Sequence, residues 1–291
     1  GWAKNKGTPG KAEITLNLER DVVSDIPSFS VSTDDLTLKG AAKYALDGTG
    51  LEKIDFETIK FGRNDVSGAL IPRSDGGWDV GLQGKSLDIS TIWSDFQTEG
   101  ATAADTDNPL LSRLTLAIEL DRVWLDDVTS VSGVSGTFAR QESRWRTVLL
   151  RSRVNDGADF DLQMQPGKDG NRTLLVTSND AGAVLKLFDL YPNMVGGKLR
   201  IIGKYDDAQT EAPLTGEINV DDYRILNAPV LARVVSIMAL TGILEALDGK
   251  GLAFNDLVIP FEMKQGTFKL HEARAAGTSL GFTASGSIYR N

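Results

Sequence analysis

Leu114–Leu120, L-T-L-A-I-E-L, sets Leu114, Leu116, Ile118 and Leu120 at every second position, with Thr115 and Glu119 between them. Successive side chains of a strand point to opposite faces, so this spacing predicts one greasy face and one wet face. Ala12 to Arg20 repeats the habit, with Ile14, Leu16 and Leu18 alternating against Glu13, Thr15, Asn17 and Glu19. Asp35 to Lys43 brings Leu36, Leu38 and Gly40, and Leu51 to Gly62 brings Ile54, Phe56, Ile59 and Phe61. Short half-buried strands separated by turn residues predict an antiparallel meander.

Ser67 to Leu82, S-G-A-L-I-P-R-S-D-G-G-W-D-V-G-L, reads as strand, D-G-G turn and strand, the pattern of a hairpin. Ser135 to Leu149, S-G-T-F-A-R-Q-E-S-R-W-R-T-V-L, has the same opening and a Trp at a matching distance, 68 residues on, which predicts a degenerate internal repeat. Between the copies, Leu87 to Phe96 suits a short helix, and the acidic stretch Gln97 to Asn108 suits a boundary between segments 1–105 and 106–291. Strands are expected again at Asp159 to Gln165, Arg172 to Thr177, Lys198 to Lys204 and Leu214 to Val220. Ser178 to Asp180 offers N-cap oxygens to a helix over 179–191, with Val184, Leu187, Phe188 and Tyr191 as its apolar stripe and Pro192 as its stop. The balance is roughly a dozen strands to two or three helices.

One stretch breaks the alternation. Ala228 to Leu247 carries ten large apolar side chains in twenty positions, among them Val230, Val234, Ile237, Met238, Leu240, Ile243 and Leu244, spread nearly all round a helical wheel. At about 1.5–3 kcal/mol per buried side chain, such a surface does not stay in water. A membrane span is disfavoured, because Arg233 and Glu245 would each cost about 2.5–3.5 kcal/mol near a helix centre. The expectation is a helix pair over 228–248, broken at Thr241-Gly242. It serves either as core packed on the sheet or as a plug or lip touching lipid.

Composition narrows the function. At 291 residues, 41% hydrophobic and 24% charged, the chain can bury a sizeable core. A net charge of -9 with no basic run argues against a nucleic-acid backbone or an anionic membrane surface as the main partner. The absence of cysteine removes disulfides and thiolate chemistry. No apolar leader or span of eighteen apolar residues occurs, so any signal or anchor is expected outside this piece, which reads as a fragment of a longer chain.

His271 is the sole histidine, and its parity matches Lys269 rather than Phe268 and Leu270, so it is expected to face solvent. Triads and common metal clusters lose their parts without a second His or a Cys. The acid pairs Asp126-Asp127, Asp206-Asp207 and Asp221-Asp222 lack the spacing of a calcium loop and read as turns or solvated faces. Gly48 and Gly50 lack the third glycine of a nucleotide loop. No cofactor is expected, and no enzyme; a carboxylate-dependent hydrolase is the rival in that class.

Asn227 to Leu257 and Gly266 to Ile288 together resemble the C-terminal region of the AsmA-like superfamily, with its YhdP and TamB relatives. The closing pattern A-x-G-x-x-L-G-x-x-A-x-G-x-I is matched by Ala276-Gly277, Leu280-Gly281, Ala284 and Gly286. The likeness extends through Trp145 to Arg153, Thr177 to Lys186 and Gly196 to Tyr205. It is specific from about Leu114 onward and a matter of pattern before that.

The resemblance implies a mainly β fold with a few helices, a long curved antiparallel sheet open as a taco-like groove. It implies the periplasmic part of an inner-membrane-anchored protein of a Gram-negative envelope, carrying phospholipid between the inner and outer membranes. In that setting Leu114, Leu116, Ile118, Leu257, Ile259, Phe261, Phe282 and Ile288 are the expected lipid-lining residues, and Val230, Val234, Ile237, Met238, Leu240, Ile243 and Leu244 the expected plug or membrane contact. The rival is an envelope assembly factor handling outer-membrane proteins by strand addition.

Overall fold

The computed structural model describes residues 7–19, 22–45, 50–93, 112–142, 144–155, 157–227, 251–278 and 280–289. The segment 228–250, with every plug candidate from Val230 to Leu244, lies outside them, as does the acidic stretch 97–108.

Sixteen strands are hydrogen-bonded in chain order. They are β1 (Gly10–Glu19), β2 (Val22–Thr33), β3 (Leu36–Tyr44), β4 (Leu51–Phe61), β5 (Asn64–Pro72), β6 (Trp78–Asp88), β7 (Arg113–Trp124) and β8 (Ser130–Gln141), followed by β9 (Arg144–Val154), β10 (Ala158–Pro166), β11 (Arg172–Ser178), β12 (Met194–Tyr205), β13 (Leu214–Ile225), β14 (Leu252–Lys264), β15 (Thr267–Gly277) and β16 (Gly281–Tyr289). Two compact units divide the chain, Gly1–Val148 and Leu149–Asn291, and the division falls within β9. Each expected strand is present. Both phrases of the repeat occupy like places: Ser67 and Ser135 lie in β5 and β8, and Trp78 and Trp145 lie in the strands that follow, β6 and β9.

The meander is antiparallel wherever its register is defined except at one step, which corrects the expectation. β6 and β7 run parallel, Trp78 beside Leu114 and Leu82 beside Ile118. A tight turn joins only antiparallel neighbours, whereas the chain between Asp88 and Arg113 is long enough for the crossover that a parallel pair demands. Strand β6 also takes up the start of the helix expected over Leu87 to Phe96; only residues 90–93 are helical among those described.

Helix α1 (Ala181–Leu187) is shorter than the 179–191 expected. Asp180 is its N-cap, its side chain accepting from the Ala183 N–H at 2.9 Å. It ends at Phe188, before Tyr191 and Pro192, and Asp189 then takes φ +53°. Aspartate tolerates this left-handed conformation better than most residues, so the turn forms without the proline. Ala181, Gly182 and Val184 are buried against β12. Gly182 is required there, since a Cβ would come 2.8 Å from the Met194 carbonyl carbon.

Candidate functional site

The apolar face of the sheet is the candidate site, and cross-strand register shows how it is assembled. Directly paired residues share a face. In the first unit Ile26, Ala42, Ile54, Leu70, Val80, Leu116 and Phe138 are linked pair by pair from β2 to β8. A second row runs Ile14, Phe29, Gly40, Phe56, Gly68, Leu82, Ile118 and Gly136. A third runs Ala12, Val31, Leu38, Ile59, Val66, Gly84, Leu120 and Val134.

Glycine in the second row makes room for rings. Phe29 and Phe56 meet edge to face at 6.0 Å across Gly40, where a Cβ would lie 2.6 Å from Phe29 Cζ. Gly68 plays the same part beneath Leu82, 2.9 Å from where its Cβ would stand. Most of these side chains are half-buried rather than sealed, although Leu120 and Val134 are each 3% exposed. On the opposite face Glu119 stands between Gln83 and Ser135.

The second unit repeats the plan. One row runs Leu162, Val176, Ile201, Ile218 and Ile259. Another runs Phe160, Ser178, Leu199, Val220, Leu257, Ala275 and Phe282. A third runs Met164, Leu174, Gly203, Gly216, Phe261, Leu270 and Gly286. Phe261 stacks on Phe268 at 5.1 Å, and Phe268 is paired with Ile288.

All eight lining candidates therefore lie on the apolar face of their own unit, but in different settings. Leu114, Leu116, Ile118, Leu257 and Ile259 are half-buried, and Phe261 is buried. Phe282 and Ile288 sit on β16, whose residues are all exposed. Leu114 stands between Trp78 and Arg140 rather than between aliphatics. Arg140 is itself buried, over the Trp145 ring at 5.9 Å and donating through Nε to the Glu142 carbonyl.

Polar chemistry is absorbed in scaffolding. Asp126 accepts from the N–H groups of Val128 and Thr129 at 2.8 and 2.6 Å, and the Thr129 hydroxyl together with these turn N–H groups holds its carboxyl below the usual range. Asp207 forms a bidentate pair with Arg172, both side chains 8% exposed, and Arg172 lies over the Tyr205 ring at 4.0 Å. Arg63 binds Asp88 at 2.8 Å and the Asp126 carbonyl at 3.0 Å, tying the β4–β5 and β7–β8 turns together across β6. The His271 side chain is 47% exposed, as its parity implied.

A cavity of about 630 Å³ opens in the first unit beside Ile26, Ala42 and Tyr44. Of its four carboxylates, Glu52 pairs with Lys43 at 2.8 Å, Asp55 with Lys53 at 2.7 Å, and Asp25 accepts from Ser24 at 3.2 Å, with Glu19 the fourth in the lining. No cluster of three metal-ligating side chains occurs among the described residues. Among them, too, no helix is long and apolar enough to cross a membrane.

No protein-family model, curated protein or solved structure matches the chain.

Proposed function

We propose that the apolar face is a lipid path, and that the chain is the C-terminal periplasmic part of an AsmA-like protein passing phospholipid between the two membranes of a Gram-negative envelope. The protein acts as a passive conduit without catalytic residues, anchored in the inner membrane by a segment outside this chain. The reading includes a groove-forming curl of the sheet and an apolar helix pair within 228–248.

What supports it is the set of apolar rows that cross each unit, most of whose side chains in the first unit are left half-buried. A one-sided sheet must cover its greasy face with a second sheet, with helices or with another apolar substance. The described residues form a single sheet, and their packed helix is seven residues long. Eight strands at a spacing of about 4.8 Å make the two longer rows of the first unit about 34 Å long, enough to lay an extended acyl chain along them.

Photo-crosslinkers at Ile118 and Ile259 test the path in cells. Both face the rows, whereas Glu119 and Lys269 lie on the other face. Phospholipid captured from the first pair and not from the second is the expected result. Equal capture from both pairs refutes a one-sided path, and capture of barrel proteins in place of lipid moves the assignment to an assembly factor.

A further inference from the structure

The two outer strands differ in how their free edges are guarded. Among the described residues strand β1 pairs only with β2, and it carries Lys11, Glu13 and Glu19, with irregular register after Thr15. Charge and bulges are the usual means by which a protein keeps an edge from pairing further. Strand β16 pairs only with β15 among the described residues, and it has neither safeguard. From Gly281 to Tyr289 it holds no charged residue and no proline. The extra residue at its one register shift belongs to β15, which uses Leu270 to Ala273 against Gly286 to Ala284. Phe282, Ile288 and Tyr289 are 37%, 60% and 72% exposed.

Within β16, G-F-T-A-S-G-S-I-Y, the stretch from Phe282 to Ile288 is symmetric in residue class about Ser285. Set antiparallel to itself about that centre, Phe282 faces Ile288, Thr283 faces Ser287, Ala284 faces Gly286, and Tyr289 lies over Gly281. Large meets large, hydroxyl meets hydroxyl, and small meets small. Each pairing joins residues of equal parity, so the apolar face runs on across the axis without exchanging sides. Aromatic over glycine and aromatic beside β-branched are both favourable cross-strand pairs. No like charges meet.

We propose that the free edge of β16 pairs antiparallel with the β16 edge of a second copy of this chain, Ser285 facing Ser285 across a two-fold axis. The interface is isologous, so it closes at two copies rather than growing into a fibre. It does not depend on whether the apolar face carries lipid.

The chain has no cysteine, so Ser285→Cys places a single thiol on the axis. Facing Cα atoms would lie about 4.5–5.5 Å apart, within the reach of a disulfide. Mild oxidation of purified Ser285→Cys is expected to give a disulfide-linked dimer, while Ser135→Cys, exposed on β8, stays monomeric on a denaturing gel. Sedimentation equilibrium of the unaltered chain is expected to show a dimer.

The double variant Thr283→Glu with Ser287→Glu separates the fold from the dimer. Within one copy the new carboxylates face Arg274 and Lys269, which favours the monomer. Across the axis they face each other in two like-charge pairs, and the dimer should weaken about tenfold or more with an unchanged circular dichroism spectrum. A monomer throughout the concentration range, a dimer that fails to cross-link at Ser285, or one indifferent to the double variant overturns the proposal.

Discussion

Two methyl groups added to neighbouring strands should move stability in opposite directions if the rows are packed as described. Gly68 lies in the glycine-bearing row, and a Cβ there would stand 2.9 Å from Leu82 Cδ2 and well inside contact distance of the Gly81 carbonyl oxygen. Gly81 points to the other face, and a Cβ there meets nothing within 4 Å. Overpacking costs about 1–3 kcal/mol. Against it stands the roughly 0.5–1 kcal/mol by which Ala is favoured over Gly in a strand. Gly68→Ala should therefore lose about 0.5–2 kcal/mol and Gly81→Ala gain about 0.5–1 kcal/mol. With a urea slope near 3 kcal/mol/M, midpoints should fall by roughly 0.2–0.7 M and rise by roughly 0.2–0.3 M. Both positions belong to the first unit, so one unfolding transition reports both. A gain at Gly68, or a loss at Gly81, would mean that these strands present the opposite faces, since a slip of one residue exchanges them.

Asp207→Asn leaves the Arg172 guanidinium buried without its carboxylate and should cost about 3–5 kcal/mol in urea unfolding; a cost below about 1 kcal/mol would show that water reaches the pair. Among the described residues the buried Tyr223 hydroxyl has no hydrogen-bond partner, and burial pushes the phenol above its usual range. Tyr223→Phe should raise stability by about 1 kcal/mol, and a loss of that size would reveal a partner such as a bound water. Asp169 is held down to about 2 by hydrogen bonds from Lys204 and Asn171. Its contribution is present above the unfolded value of 3.8 and is lost as pH falls toward 2, so its carboxyl resonance should titrate near 2 and move back toward 3.8 in Lys204→Met.

Strand identity was legible because alternation is local. Leu114 to Leu120 and Leu214 to Val220 each declare two faces from their own residues, and the registers place those faces as expected. Ala12 to Glu19, read as half-buried, is instead a strand exposed at every residue, and its register shifts at Leu16. The direction of β7 was not legible, because parallel pairing depends on where the crossover returns the chain, not on the residues that pair. Gly40 and Gly68 offer an alternation pattern no side chain to count, yet each is a floor on which a larger side chain lies. The end of α1 was misplaced because Phe188 and Tyr191 keep the apolar spacing after the backbone has left the helix at Asp189.

Alternation also fails at a level shared by three neighbouring strands in each unit, and these two failures share a cause. In the first unit Lys85, Asp121 and Gly133 drop out of the ladder at one level, while pairing on either side keeps its register. In the second, Gly197, Asp222 and Asn255 do the same. Gly133, Gly197 and Asp222 take φ of +56°, +91° and +55°, conformations that glycine and aspartate reach at least cost. The backbone turns over there, so the buried residue after Leu120 is Val123, and the one after Val220 is Tyr223, three positions on instead of two. Strands β8 and β14 show the same step, from Val131 to Val134 and from Phe254 to Leu257. Between the apolar partners stand D-R, D-D, S-G and N-D. Asp221-Asp222, first weighed as a possible ligand pair, thus serves to keep the apolar face on one side. Leu87, Val123 and Val131 continue that face in one unit, and Tyr223, Phe254, Ile225 and Leu252 in the other, all seven invisible to a strict period of two.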